Sequence, residues 1–157
     1  PNGETALSPQ GIYADYVLSR QVTAIERREI LERLGQRHTV DLYTYDPDVA
    51  ISGVKNKGKL DYYTEMPYVF RNSKINLNIT LRSIKTGIPL RAFDIMGCGG
   101  FLLSNFQSDF LDLFEPDEDF VYYESYEDLM EKVRYYVTHD DTRERIAMNG
   151  YEKKKFA

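Results

Sequence analysis

The feature that most constrains this chain is an alternation. Short β-branched or aromatic runs are followed, again and again, by stretches with helical spacing. HTVDLYTY (38–45), GKLDYY (58–63), KINLNITL (74–81), FLL (101–103) and FVYY (120–123) read as strands. In 74–81 the residues Ile75, Leu77 and Ile79 share one face. Between the strands, 13–34 reads as one helix on the spacing of Leu18, Val22, Ile25, Leu31 and Leu34, stopped by Gly35. Short helices are expected over 65–72 and 89–96, the second with Pro89 in its first turn and Gly97, Gly99 and Gly100 beyond its end. A helical turn or two is expected over 109–114. Ser125-x-x-Asp128 opens a helix carrying Leu129, Val133 and Val137, and Asp141 opens another with Glu144 three residues on. Strands alternating with helices indicate βαβ units, hence an α/β domain with an open, mostly parallel sheet flanked by helices.

The length of 157 residues suits one such domain. The formal charge of −5 argues against a nucleic-acid binder that uses its whole surface, so any anion site has to be local. One cysteine, Cys98, excludes an internal disulfide framework and fits a reducing compartment. With no apolar run long enough to cross a membrane and no leader at the N-terminus, the expectation is a cytoplasmic chain. The first residue, Pro1, and the end soon after Lys153–Lys155 suggest a fragment of a longer protein.

Ligands of open α/β sheets bind beyond the carboxyl ends of the strands. The strand-to-helix junction there with the most chemistry is TLRSIKTGIPLRAFD (80–94). Its backbone N–H groups and helix dipole would favour an anion, Gly87 would let backbone approach closely, and Arg82, Lys85 and Arg91 would neutralise a diphosphate. Asp94, one turn inside the helix, could accept hydrogen bonds from ribose hydroxyls. On these residues alone, the junction reads first as a plain turn with solvated cations.

Three stretches shift that balance: GKLDYYTEMPYVFRNSKINLNIT, RSIKTGIPLRAFDIMGCGGFLLSN and YESYEDLMEKVRYYVTHDDTRERIAMNGY. Together they resemble the C-terminal domain of a GT-B glycosyltransferase, of the group 1, spore-maturation-protein (CgeB) type. The likeness extends more loosely through ERREILERL and VDLYTY. It implies a Rossmann-like domain binding the nucleotide of a nucleotide-sugar donor. A hexosyl-type transfer to an acceptor hydroxyl would follow, with a separate N-terminal domain supplying most of the acceptor site. The isolated domain would then be inactive.

Group 1 transferases carry two glutamates separated by seven intervening residues around a glycine-rich turn, the first on the donor sugar and the second on the ribose. In this sequence Thr86 and Asp94 take those places, with Gly87 at the turn. The diphosphate would meet Arg82, Lys85, Arg91 and the N–H groups around Gly87, Ile88 and Leu90. Such groups would stabilise charge developing on the leaving diphosphate. Tyr62 and Tyr63 could flank the nucleobase or simply pack at a sheet edge. No metal and no other cofactor is expected: Asp46-Pro47-Asp48 reads as a proline turn, not a metal-binding pair.

Other residues read as structural. Cys98 is a small packing residue between glycines, His38 opens a strand and His139 closes a helix. Glu26-Arg27-Arg28-Glu29 is a helix face of offsetting charges, and Lys153–Lys155 a solvated tail. The competing function is a degenerate interaction module that kept the fold, motivated by Thr86 and Asp94. A phosphoacceptor signalling domain is disfavoured, because no acidic pair follows the first strand.

Overall fold

The structure, a computed structural model, describes residues 11–15, 21–79 and 90–156. Among them, β1 (Ile12–Asp15), β2 (Val40–Tyr43), β3 (Val54–Gly58), β4 (Ile75–Asn78), β5 (Leu102–Asn105) and β6 (Val121–Tyr123) form one sheet. The order is β3-β2-β1-β4-β5-β6 and every pair is parallel. This doubly wound order reverses between β1 and β4, where such sheets open a crevice for ligands. The helices are α1 (Gln21–Gly35), α2 (Met66–Asn72), α3 (Leu90–Gly97), α4 (Tyr126–Tyr136) and α5 (Asp140–Lys154), with a 3-10 turn at Ser108–Asp112. The expected α/β, Rossmann-like fold is the observed one.

β2 and β4 are buried along their whole length and β5 nearly so, as expected of inner strands of a parallel sheet covered on both faces. In β2 and β5 alternation sends neighbours to opposite layers. Leu103, Ile75, Leu77 and Ile79 pack with Leu31 and Leu34 of α1 and Leu129 and Val133 of α4. Leu102 packs instead with Val69 and Phe70 of α2 and with Ala92, Ile95 and Met96 of α3. α5 joins the two layers. Its Ile146 belongs to the first, while Gly150 lies so close to Met96 and Asp119 that a Cβ there would sit 2.4 Å from the Asp119 carbonyl oxygen.

Several elements depart from the sequence reading. The expected helix over 13–34 splits into β1 and α1. Ile12 is buried, and β1 is hydrogen-bonded to a strand on either side, so pairing overrides helical spacing. The expected strand over 58–63 ends at Gly58 and lies earlier, in the polar run VKNKG; residues 62–65 form a turn. That run is tolerated because β3 is an edge strand, and its lysines discourage a further strand from pairing. His139 does not close a helix but stands at the start of α5, its ring stacked on Tyr135 at 3.7 Å. The expected start at Ser125 is observed: Ser125 Oγ accepts from the Asp128 amide at 3.0 Å, and Asp128 Oδ2 accepts from the Glu124 amide at 3.0 Å.

Candidate functional site

The loop after β3 is shaped by its own side chains. Asp61 Oδ1 accepts from the Tyr63 amide (2.9 Å), the Thr64 amide (2.8 Å) and the Thr64 hydroxyl (2.9 Å), and Glu65 Oε1 accepts from the Asp61 amide (2.8 Å). The Asp61 carbonyl accepts from the Glu65 and Met66 amides, leading into α2. These donors, the Thr64 amide first, hold the Asp61 carboxyl below the ordinary aspartate range. The turn fixes two tyrosines. Tyr63 is 85% exposed, and its ring meets Tyr62 edge to face at 5.1 Å.

Tyr62 reaches across to α3. Its hydroxyl donates to Asp94 Oδ1 at 3.1 Å, joining residues 32 positions apart. That hydrogen bond, followed by the nearby carboxylate charge, raises the Tyr62 pKa, so the phenol remains a neutral donor. Arg91, one turn earlier on α3, has Nη1 3.9 Å from Asp94 Oδ2 and donates to Met66 Sδ at 2.7 Å. Its guanidinium lies 5.8 Å from the Phe70 ring centre. Tyr62, Arg91 and Asp94, named from the sequence for three parts of a ligand, therefore meet in one contact.

Tyr62 and Asp94 line a cleft of about 210 Å³ together with Met66 and Phe70 of α2, Phe93 and Gly97 of α3, Cys98 and Lys154. Burial pushes the Cys98 thiol pKa up, with Asp94 adding to it, which suits the packing role read from the sequence and disfavours a nucleophile. The open hollow between 115–119 and α5 is lined by Glu115, Glu118, Asp119 and Glu152 with Lys153, a poor setting for a diphosphate.

Leu90, the first residue of α3, is 81% exposed. Arg82, Lys85, Thr86, Gly87 and Ile88 lie outside the described residues. Asp46-Pro47-Asp48 is the turn expected of it, with Asp46 Oδ1 accepting from the Asp48 amide at 2.9 Å. Among the described residues, no cluster of His, Cys, Asp and Glu is arranged to hold a metal ion. No described helix is long and apolar enough to cross a membrane.

Two charged stretches are corrected. Arg27 is not on a solvated face: it is 4% exposed and its Nη2 donates to the Ile79 carbonyl, at the carboxyl end of β4. The sequence held a signal for this, because Arg27, Leu31 and Leu34 fall at i, i+4 and i+7 on one side of α1. Lys153 and Lys154 belong to α5 and not to a tail. Lys153 pairs with buried Asp119 at 3.0 Å, and Lys154 lines the cleft.

A parallel sheet in this order, flanked on both faces, is a Rossmann-like domain, and the solved structures it resembles share that fold. It is similar to Anabaena Alr3699/HepE in complex with UDP-glucose, at 11% identity and TM-score 0.71 over 99% of this chain and 46% of that one. It is similar to the C-terminal domain of the glycosyl transferase group 1 family protein LpcC from Francisella tularensis, at 15% identity and TM-score 0.67 over 98% and 89%. Sucrose-phosphate synthase from Thermosynechococcus elongatus is similar too, at 14% identity and TM-score 0.68 over 96% and 41%. At these identities the likeness shows the fold, which is that of a group 1 C-terminal domain. The chain spans about a third to a half of the longer structures that it matches. Residues 20–155 match the glycosyl transferase-like family, and the chain belongs to it. No curated protein matches the sequence.

Proposed function

We propose that this chain is the donor-binding domain of a glycosyltransferase of the spore-maturation-protein (CgeB) type, part of a longer two-domain protein, taking a nucleotide sugar and passing the sugar to an acceptor hydroxyl. The observation that carries this reading is the carboxylate of Asp94. It stands one turn inside the helix that follows β4, beside the reversal of strand order, and is held there by Tyr62. An acceptor-only group in that place suits ribose hydroxyls. Support for the ligand class comes from HepE, solved with UDP-glucose.

In this reading Arg82, Lys85 and Arg91, with the N–H groups of Gly87, Ile88 and Leu90, receive the diphosphate. Thr86 meets the donor sugar, and Tyr62 and Tyr63 flank the base. Breaking the sugar–phosphate bond puts negative charge on the departing diphosphate, and fixed donors already aimed at it lower that barrier without a metal. An N-terminal domain would supply the acceptor site, so this chain alone binds donor without transferring sugar.

Calorimetric titration of the chain with UDP, GDP, ADP and dTDP tests this. Saturable binding to one of them is expected, and Asp94→Ala should weaken it tenfold or more, the size of a hydrogen bond to a charged group at about 1.5–3 kcal/mol. Arg91→Ala should weaken it as well. A folded sample that binds no nucleotide would leave the fold serving as an interaction module.

A further inference from the structure

Resting on that reading, we infer that Tyr62 is a positioning residue: its hydroxyl sets the Asp94 carboxylate so that the site selects ribonucleotides over 2′-deoxyribonucleotides. The geometry on both sides of the contact supports this. Tyr62 is placed by a turn in which Asp61 accepts three hydrogen bonds, so the phenol arrives from a fixed direction. Asp94 sits on a helix, and rotation of its carboxylate is limited by Tyr62 at Oδ1 and by the Arg91 charge near Oδ2. Arg91 is itself anchored by Met66 and the Phe70 ring.

A carboxylate accepts and does not donate, with about four lone-pair positions. Tyr62 takes one position at Oδ1, which leaves the rest of that oxygen and Oδ2 for a ligand. Two neighbouring hydroxyls, each donating to its own oxygen, match what remains. A vicinal diol is the group that distinguishes ribose from 2′-deoxyribose. Without the Tyr62 hydroxyl the carboxylate turns toward Arg91, and the two oxygens no longer face the diol together. Tyr62 acts through Asp94, so its loss should be felt only by a ligand that carries both hydroxyls.

The test compares UDP, GDP and ADP, each with its 2′-deoxy form, on the wild-type chain, Tyr62→Phe and Asp94→Ala by calorimetry. Wild type should prefer the ribonucleotide by about tenfold or more, as one hydrogen bond to a charged acceptor gives. Tyr62→Phe keeps the ring and its contact with Tyr63. It should bring the ratio to within about threefold, mostly by weakening the ribonucleotide, while 2′-deoxy affinity stays near wild type. Equal weakening of both ligands, or an unchanged ratio, would mean that Tyr62 only packs or stacks, and the inference fails while donor binding stands. If Asp94→Ala has no effect on nucleotide binding, or if wild type binds none of UDP, GDP, ADP and dTDP, the donor-site reading fails and takes this inference with it; binding of dTDP alone overturns this inference and leaves that reading standing.

Discussion

Asn76 lies wholly buried in β4 and uses its amide on main chain, donating to the Phe70 carbonyl at 2.8 Å and the Phe101 carbonyl at 3.1 Å. It ties the end of α2 to the start of β5. Gly100 closes over this joint: a Cβ there would lie 2.6 Å from the Phe70 oxygen and 2.7 Å from Asn76 Nδ2. Asn76→Ala should cost about 1–3 kcal/mol, because two buried carbonyls lose a donor. Gly100→Ala should cost about 1–3 kcal/mol through overpacking, and the two should be non-additive, since one removes an atom that the other strikes. Urea unfolding of both variants and the double variant measures this; strict additivity would show that the contact is not shared. Asp61 makes a pH-dependent claim. Its folded pKa lies below the ordinary 3.8, so its contribution to stability is complete above that value and is lost as pH falls through the folded pKa. Carboxyl-carbon NMR titration should place Asp61 below 3.8, and the wild-type advantage over Asp61→Ala should shrink only in acid. At this scale the sequence supplied the names Tyr62, Arg91 and Asp94 but not their meeting, because a contact spanning 32 residues depends on how β3 and β4 are placed in the sheet.

At the scale of elements, legibility followed how local the determinants were. α4 was readable because its start is written within five residues: Ser125 caps Asp128, and Asp128 returns to the Glu124 amide. Ser125→Ala should therefore cost about 1 kcal/mol, read as a lowered urea midpoint with unchanged slope. An unchanged midpoint would show that packing of Leu129 and Val133 alone holds the helix. β4 was readable for the same reason, its alternation being sharp over four residues and its apolar side matching the first layer. β1 was not. Its run IYAD is too short to carry a period, and it is a strand because β2 and β4 pair with it from both sides. β3 was displaced for the opposite reason: an edge strand has one pairing partner and wants lysines, so VKNKG looks like loop, while the tyrosines after it look like strand.

The whole molecule is a sheet whose strands serve two layers at once, and that arrangement decides how it unfolds. Leu102 and Leu103 are consecutive residues in different layers, and α5 contributes Ile146 to one while Gly150 presses on Met96 of the other. Neither layer can lose its packing without exposing strands that the other needs, so the described parts should melt as one unit. Met96→Ala and Ile146→Ala test this from opposite faces. Each removes a side chain that is about 1% exposed and should cost about 2–5 kcal/mol. In a chain of this size each kcal/mol lowers the midpoint by about 2–4 °C. Far-ultraviolet circular dichroism follows the helices, and near-ultraviolet dichroism follows the tyrosines, which lie in both layers: Tyr136 in one and Tyr43 in the other. In each variant the two signals should fall together in a single transition. A Met96→Ala protein whose near-ultraviolet signal falls first, with most helix retained to a second transition, would show that the layers are separable. The α2–α3 cleft would then belong to a part of the molecule able to open by itself.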